Sequence, residues 1–480
     1  MGQAYYVREL LEEKINEQRK TGDIKAYSFT KKENDKFMDL CDEVKNYFKG
    51  LKINIDDLEK QKKAIIGYPE EVSYYKDKIE EYLKTNNFLN EEYPKWYSDL
   101  PSAIFHELWG LAGIAQWYEA LTPELKNSSS AKIIGEEIFF MIDGKTRLMP
   151  QKISKDRRSQ LKRALLSNDH RVRHDNDVPD IEMLTGERIK IFNDNVTRKN
   201  TDTIIFRKFP VKDYSFEKQI ELNTYPEGIL NLCKSTAQIG YNMVFTGAVR
   251  TSKTTQLSTW LRYEDPTEEG LIVETRPEIP IDKILPNAPI ISLVADTEEK
   301  LSEIRSSIMR SDADYVIMAE ARDAYAYDIA LKSASVGTRR CKLTAHINSP
   351  FDFPYEFAKE ITRVFGGDLT HEAINIAKAY TLNLHFINYP QNRSKKRLEG
   401  IYVFEYNPKT YEIFVHTLCK YDISTDTWSF NFYITDDMKR IGIEQNQEAF
   451  NIMQNELKRL SEEYPMSCEY KKPFKPFYSK

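Results

Sequence analysis

Between residue 213 and about residue 420 the sequence alternates short apolar runs with helical patterns. Four runs are apolar or β-branched over most of their length, and each is followed by a loop and then by a helical pattern: NMVFTG, GLIVE, YVIMAE and CKLTAHI. Buried strands that alternate with helices indicate a parallel sheet sandwiched between helices. The chain is therefore predicted to be an α/β protein built around such a sheet.

The first region, residues 1–98, is rich in Lys, Glu and Tyr and mostly helical by pattern. Its apolar positions fall at helical spacing near the start, at Val7, Leu10, Leu11 and Ile15. No cluster of chemically active residues stands out here. Two interpretations stay open: a docking or spacer helical extension, or a binding module for a partner protein.

Residues 99–212 predict a smaller α/β domain. ELWGLAGIAQWYEALT and KDRRSQLKRALL have helical patterns, whereas AKIIGEEIFFMIDGK alternates like a pair of strands. EMLTGERIKIFND and TDTIIFRKFP predict further strands around turns that contain Gly or Asn. Residues 213–480 then hold the alternating segment and a tail with a strand-like piece, WSFNFYIT, and a final helix, EAFNIMQNELKRLSEEY.

Charge and cysteine usage narrow the function classes. The net charge is -5, which argues against a global basic field for nucleic acid, so no direct nucleic-acid partner is expected. The N-terminus lacks the apolar run of a signal peptide. No run of about 18 apolar residues occurs in the sequence, so no membrane-spanning helix is predicted. The five cysteines are scattered and form no CxxC pair, so no zinc site is predicted. They fit reduced thiols in a cytoplasm: Cys41, Cys233, Cys341, Cys419 and Cys468.

A candidate phosphate-binding loop follows the strand NMVFT and precedes the helical QLSTWLRY, which is the context such a loop requires. Backbone N–H groups and a helix N-terminus would cradle phosphates there. Lys253 would reach the β and γ phosphates, and Thr254 would offer a hydroxyl to Mg²⁺. The residues of this 247–255 loop are Gly247, Ala248, Val249, Arg250, Thr251, Ser252, Lys253, Thr254 and Thr255.

The loop departs from the standard pattern GxxxxGK[ST], because Ser252 stands where the second glycine is expected. Glycine allows a tight path around phosphate without steric cost, and a serine side chain adds crowding. An alternative interpretation is therefore a strand followed by an ordinary helix that is capped by a Ser or Thr side chain.

Polar residues at later strand ends support the functional interpretation. Glu320 ends the apolar strand YVIMAE, where a carboxylate could hold Mg²⁺ through water or position the attacking water. Glu274 and Glu278 follow LIV, and a carboxylate there could act as general base, unless the segment is a solvated turn held by Arg276. His346 ends a β-rich run and could sense phosphate charge, although a single histidine is usually structural.

These four segments, in this order, resemble the secretion-ATPase superfamily of P-loop NTPases. Its members share a phosphate loop, an acidic "Asp box", a Walker B strand ending in glutamate and a "His box", matched here by GAVRTSKTT, VETRPE, YVIMAEARD and LTAHINSP. Upstream, TGERIKI and TIIFRKFP look like N-terminal-domain elements whose arginines reach over the nucleotide in relatives. The resemblance assigns that role to Arg188 and Arg207, and it covers roughly residues 130–420.

The short linker before the loop and the lack of a tetracysteine zinc motif resemble the Tad-pilus and type IV secretion branch. Three departures from the family pattern bear on catalytic rate. Ser252 replaces the loop glycine, Arg250 stands where glycine is frequent, and Thr275 stands where the Asp box usually has its aspartate.

The resemblance implies a RecA-like motor domain that binds ATP and Mg²⁺, preceded by a smaller α/β domain and a helical extension. It implies a homo-oligomer, usually a hexamer, that couples ATP hydrolysis to protein export or filament assembly. The expected partners are inner-membrane platform or secretion-channel proteins, with the chain cytoplasmic and peripheral at the inner face of the membrane. Two alternatives stay open: a degenerate nucleotide-binding scaffold that does not hydrolyse ATP, and a DNA-handling conjugation motor, which the acidic charge disfavours.

Overall fold

The computed structural model describes residues 29, 31–50, 60, 62–65, 67–166, 180–183, 187–208, 213–295, 297–335, 338–467 and 471–474. The chain forms two compact units, Met1–Pro210 and Val211–Lys480. No helix among these described residues is both long and apolar enough to cross a membrane.

The first unit begins with helices, as the pattern predicts. Its α-helices are Lys31–Gly50, Pro69–Thr85, Leu100–Leu108, Ala115–Tyr118, Pro123–Lys126 and Lys155–Leu166, with a 3₁₀ turn at Ala112–Ile114. The predicted helical spacing of four apolar residues lies outside the described residues: Val7, Leu10, Leu11 and Ile15. These helices and the sheet that follows share one apolar core, in which Val44, Ile79, Ile104 and Phe140 are fully buried.

One predicted helix, ELWGLAGIAQWYEALT, is wrong as a single element. The chain leaves the helix after Leu108, and a Cβ at Gly110 would collide with the ring of His106. Ala112 then takes a φ of 49°, in the left-handed region, before the chain turns into short helical pieces. The apolar periodicity continues through this break because both halves of the segment pack on the same core.

Six antiparallel strands form the sheet of this unit, in the order β3-β2-β1-β6-β5-β4. They are β1 (Ser130–Ile134), β2 (Glu137–Ile142), β3 (Lys145–Lys152), β4 (Asp180–Glu182), β5 (Arg188–Phe192) and β6 (Thr203–Arg207). The predicted strand pair AKIIGEEIFFMIDGK is the β1–β2 hairpin, and Gly135 at its turn has a φ of 60°.

A buried ion cluster ties the helix Lys155–Leu166 to this sheet. Both oxygens of Asp202 accept hydrogen bonds from Arg158 at 3.0 Å, and Lys162 lies 2.6 Å from the same carboxylate. Burial raises the pKa of Asp202, but the hydrogen bonds from Arg158 and Lys162 outweigh it and lower the pKa to about 2. The ionised carboxylate therefore stabilises the fold at every pH at which the same carboxyl group would also be ionised in the unfolded chain.

We predict that Asp202→Asn destabilises the first unit by about 3 kcal/mol at neutral pH, because the buried Arg158 and the half-buried Lys162 lose their counter-charge. Since the folded pKa is depressed, the advantage of the wild type is present above a pH of about 4 and disappears as the pH falls toward about 2. Urea unfolding of the full chain, followed by tryptophan fluorescence at several pH values, measures the difference. Asp143→Asn, which changes an exposed pair with Arg147, is the matched control. An equal effect of both variants, or a difference that does not depend on pH, would contradict this account.

The second unit holds the larger sheet, in the order β15-β14-β13-β12-β7-β11-β10-β8-β9, with β16 paired to β14. The strands are β7 (Met243–Gly247), β8 (Gly270–Glu274), β9 (Ile290–Val294), β10 (Tyr315–Ala321), β11 (Lys342–Ala345), β12 (Leu382–Asn388), β13 (Lys396–Asn407), β14 (Glu412–Asp422), β15 (Thr427–Phe430) and β16 (Lys471–Phe474). The six strands from β12 to β9 are mutually parallel, and β13, β14, β15 and β16 continue the sheet in antiparallel pairs.

Helices cover both faces of the parallel part. They are Phe216–Glu221, Leu230–Ile239, Lys253–Leu261, Ile281–Ile284, Glu298–Ile308, Ala324–Ser335, Phe353–Phe365, Leu369–Ala379 and Asp436–Glu463, with a 3₁₀ turn at Pro350–Asp352. Neighbouring residues on a strand enter different cores: Met243 and Phe245 pack on one side of β7, and Val244 packs on the other. Burial on both faces explains why these strands are apolar throughout, and the predicted α/β fold class is confirmed.

The ends of the second unit differ in detail from the sequence pattern. Strand β9 was not predicted, because Ile290–Val294 lies at the edge of the sheet and is only partly buried. Of the strand-like WSFNFYIT, only the first three residues, 428–430, belong to a strand, which runs over Thr427–Phe430. The last helix begins at Asp436, earlier than predicted, and its second half starts after Asn446, which has non-helical backbone angles and accepts a hydrogen bond from Ala449 N.

Candidate functional site

Three predicted site segments meet at one edge of the larger sheet. Strand β11 lies between β7 and β10, and Ala345 pairs in register with Thr246 on one side and with Ala321 on the other. Because these strands are parallel, their carboxyl ends share one edge. The loop after β7, the end of β10 and the residue after β11 therefore converge there, which is where open α/β sheets bind ligands.

The 247–255 loop has an unusual backbone that its sequence only partly suggests. Gly247 has a φ of 144°, and a Cβ there would collide with the carbonyl oxygen of Phe386 on β12. Arg250 and Ser252 also have positive φ, at 66° and 65°. The two positions at which the sequence departs from glycine are thus left-handed positions where glycine is the least strained residue, at a cost of about 1–2 kcal/mol for each side chain.

The alternative interpretation, a helix capped by a Ser or Thr side chain, does not describe this loop. Ser252 is the residue before the helix Lys253–Leu261, but its side chain makes no capping hydrogen bond. Its hydroxyl donates instead to the carbonyl oxygen of Thr251 at 2.6 Å. The first turn of this helix therefore faces the loop without a side-chain cap, as an anion-binding helix start would.

Lys253 turns back across the loop and is buried. Its ammonium donates to Gly247 O at 3.1 Å, to Ala248 O at 2.9 Å and to His346 Nδ1 at 3.1 Å. These contacts use all three of its hydrogens. Burial lowers the pKa of Lys253 to about 8, with Glu320 and Glu278 opposing the shift, so the ammonium stays charged at neutral pH.

His346 connects Lys253 to Glu320. Since an ammonium can only donate, Nδ1 of His346 accepts from Lys253, and the ring proton must sit on Nε2. That N–H donates to Oε1 of Glu320 at 3.1 Å. The three residues therefore form one directed chain of hydrogen bonds, from the loop lysine through the histidine to the strand-end glutamate.

Glu320 also pairs with Arg322, whose NH2 lies 2.6 Å from the same oxygen, Oε1. Burial raises the pKa of this carboxyl, but the hydrogen bond from His346 and the charge and hydrogen bond of Arg322 bring the pKa below its usual value. Glu320 is consequently ionised at neutral pH, which is the form required of a base or a metal ligand.

The two acids that follow β8 have different surroundings. Glu274 is 2% exposed, and its Oε1 accepts hydrogen bonds from the backbone of Glu278 at 2.8 Å and of Ile279 at 3.1 Å. This carboxylate thus holds a turn, although the alternative given by the sequence was a solvated turn held by Arg276. Glu278 lies within electrostatic range of Lys253, so its charge acts on the loop.

The predicted metal ligands fit Mg²⁺, although the described residues contain no group of three or more His, Cys, Asp or Glu that could hold an ion alone. Mg²⁺ bound to a nucleotide usually takes one or two protein oxygens together with phosphates and water. Thr254 lies half-buried in the first turn of the loop helix, and Glu320 is an ionised strand-end carboxylate. These two residues would hold the ion in the way the sequence predicts.

A buried polar network that sequence reasoning missed supports the start of the loop. The hydroxyl of Thr246 donates to Asn383 Oδ1 at 2.7 Å, and Asn383 Nδ2 donates to Pro350 O at 3.1 Å, just beyond His346. Because the one hydroxyl proton is used, Nδ1–H of His385 must donate to Thr246 at 2.9 Å. Burial lowers the pKa of His385 to about 4, which keeps it neutral. In the sequence this network is visible only as Asn383 and His385, two polar residues inside the apolar run LNLHFIN.

The predicted arginines lie in the other unit and face each other. Arg188 on β5 and Arg207 on β6 are direct partners in the antiparallel register. The structure therefore brings Lys253, His346 and Glu320 together in one unit, and Arg188 and Arg207 together in the other.

Residues 137–359 match the sequence family described as Type II/IV secretion system protein. Solved structures with similarity include the VirB11 ATPase from the Brucella suis type IV secretion system in complex with sulphate, at 15% identity and TM-score 0.33, covering 60% of this chain and 94% of that chain. The ATPase DotB of Legionella pneumophila has 15% identity and TM-score 0.43, covering 72% and 88%. The pilus retraction motor PilT with bound ADP has 15% identity and TM-score 0.44, covering 73% and 94%. No curated protein sequence matches the chain.

We predict that Gly247→Ala abolishes formation of the native loop, because the added Cβ has no space beside Phe386 and the φ of 144° is unfavourable for alanine. The expected loss is about 2 kcal/mol or more of unfolding free energy together with loss of ATP binding. Gly366→Ala is the matched control, since Gly366 also has positive φ but open space around it, and about 1 kcal/mol is expected there. Thermal unfolding and ATP titration of both variants test this. Equal effects of the two variants would show that space beside Phe386 is not what selects glycine.

Proposed function

We propose that this chain is an ATP-hydrolysing motor of a bacterial secretion or pilus-assembly system, because residues 137–359 match the family described as Type II/IV secretion system protein. The observation that carries the proposal is the hydrogen-bonded chain from Lys253 through His346 to Glu320 at the end of the parallel sheet. These hydrogen bonds connect a cation that can bind phosphate to an ionised carboxylate that can act on water.

Binding of ATP would exchange the partners of Lys253. Its ammonium now satisfies two loop carbonyls and a histidine, and phosphate oxygens with full negative charge are stronger acceptors. Thr254 and Glu320 would hold Mg²⁺, Glu320 through water, and the ion would neutralise charge on the phosphates.

Hydrolysis would then use Glu320 as the base for water. The water oxygen attacks the γ-phosphorus, its proton passes to the carboxylate, and the bond to the bridging oxygen of ADP breaks. His346 would respond to the phosphate charge through its hydrogen bond with Lys253. Glu278 would supply the second carboxylate near the γ-phosphate. Glu274 would contribute by keeping the turn that carries Glu278 in place.

The opposed pair Arg188 and Arg207 would add positive charge to the nucleotide in the manner of an arginine clamp. In this proposal the chain works as a homo-oligomer, a hexamer, of the Tad-pilus and type IV secretion type. ATP turnover rocks one domain against the other, and inner-membrane platform or secretion-channel proteins convert the motion into export or filament assembly. The chain acts from the cytoplasm at the inner face of the membrane and contacts no nucleic acid.

The proposal predicts separate effects for two variants in steady-state ATP turnover and ATP binding. Lys253→Ala is expected to lose both, because the phosphates lose their only buried cation among the described residues of the loop. Glu320→Gln is expected to keep ATP binding and to lose turnover on the order of 10²-fold or more, because the amide cannot accept the proton. Lys359→Ala, at a surface pair with Glu356, is the control. If the wild type and Lys253→Ala are equally inactive and neither binds ATP, the proposal fails.

A second candidate is a nucleotide-binding scaffold that does not hydrolyse ATP, and the side chains at left-handed positions in the loop favour it. Ser252→Gly separates the two functions. Under the motor proposal the backbone already follows the required path, so the variant should melt at a slightly higher temperature and change turnover by less than about threefold. Tight ATP binding without turnover by the wild type, with a large gain in Ser252→Gly, would instead favour an impaired loop.

A further inference from the structure

Arg322 follows strand β10 directly and contacts Glu320, two residues earlier in the chain. The guanidinium is 62% exposed, whereas the carboxylate that it holds is 19% exposed. Its neighbour Asp323 has a different task, because Oδ1 of Asp323 accepts a hydrogen bond from Ala326 N at the start of the helix Ala324–Ser335. Arg322 is therefore not needed to begin that helix.

The contacts of Glu320 are divided unequally between its two oxygens. Oε1 receives both the Nε2–H of His346 at 3.1 Å and the guanidinium of Arg322 at 2.6 Å. Oε2 accepts no hydrogen bond from any residue in the part of the chain that the structure describes. Oε1 therefore carries the hydrogen bond of His346 and the ion pair with Arg322, and Oε2 is the oxygen whose acceptor capacity is unused.

The two contacts reach Oε1 from different strand ends, and together they restrict rotation of the carboxylate. His346 follows β11, whereas Arg322 follows β10, the strand that carries Glu320 itself. His346 alone would leave the group free to turn about one hydrogen bond, and His346 is itself tied to Lys253, which must change partners when phosphate binds. The contact of Arg322 with Oε1, in contrast, does not depend on the partners of Lys253.

We propose that Arg322 is a positioning residue for ATP hydrolysis: it fixes Oε1 of Glu320 so that Oε2 takes the proton of the attacking water. This inference rests on the proposed function. In the step itself, a water O–H bond breaks and its proton moves to Oε2, while the water oxygen bonds to the γ-phosphorus and the β–γ bridging oxygen leaves with ADP. A planar guanidinium holds a carboxylate in one orientation better than an ammonium does.

The test compares Arg322→Gln, Arg322→Lys and Arg363→Gln in the full chain. Arg363 is the matched control, because it is 68% exposed and pairs with Glu360 at 2.7 Å on a surface helix. We expect Arg322→Gln to lower kcat on the order of 10-fold or more, with the Kd for Mg²⁺ and AMP-PNP changed by less than about threefold. Arg322→Lys should recover at least about threefold of the lost kcat, and Arg363→Gln should match the wild type.

Three outcomes would overturn the inference. A kcat of Arg322→Gln within about twofold of the wild type would show that the orientation of Glu320 does not depend on Arg322. Equal losses in kcat and in AMP-PNP affinity would mean that Arg322 binds nucleotide instead. No ATP turnover by the wild type would remove both this inference and the proposed function, whereas the first two outcomes leave the function standing. An exposed arginine contributes little to folding. If Arg322→Gln does not fold, Arg322→Ala takes its place, and a kcat within about twofold of the wild type would then overturn the inference.

Discussion

The ammonium of Lys253 is the interaction on which the site depends. Within the loop this buried charge is stabilised by two carbonyl groups and by the ring of His346, so the loop is folded around its own cation. A buried charge is tolerated only where such partners compensate its lost hydration. The same arrangement leaves the cation ready for phosphate, because an anion can replace neutral acceptors with a gain in electrostatic energy.

The parallel sheet makes this arrangement possible, since it brings three strand ends to one edge without any local contact in sequence. Lys253 and His346 are 93 residues apart in the chain, yet β7 and β11 place them within hydrogen-bond distance. Buried polar links then fix the strand ends more firmly than apolar packing alone: Asn383 joins the strand before the loop to the segment after His346. Such satisfied networks specify one geometry because any shift leaves a buried polar group unpaired.

Much of this could be predicted from sequence, and the failures have physical causes. The buried strands were predictable because burial on both faces makes them apolar, and Glu320 and His346 stood out as polar residues at their ends. The use of Glu274 to hold a turn was not predictable, since a carboxylate that binds backbone N–H groups looks the same in sequence as one that faces a ligand. The sequence contained Arg322 only as a member of the segment YVIMAEARD, because its contact with Oε1 of Glu320 is a matter of geometry. The helix across Gly110 was wrong because a periodic apolar pattern survives a change of direction.

Phosphate is expected to bind by taking Lys253 from its present partners. A structure of the full chain with Mg²⁺ and AMP-PNP tests this exchange. We expect the γ-phosphate at the 247–255 loop, with Lys253 Nζ bonded to phosphate oxygens and no longer to Ala248 O and His346 Nδ1. Nucleotide bound away from this loop, or Lys253 keeping its three present hydrogen bonds beside a bound nucleotide, would contradict it.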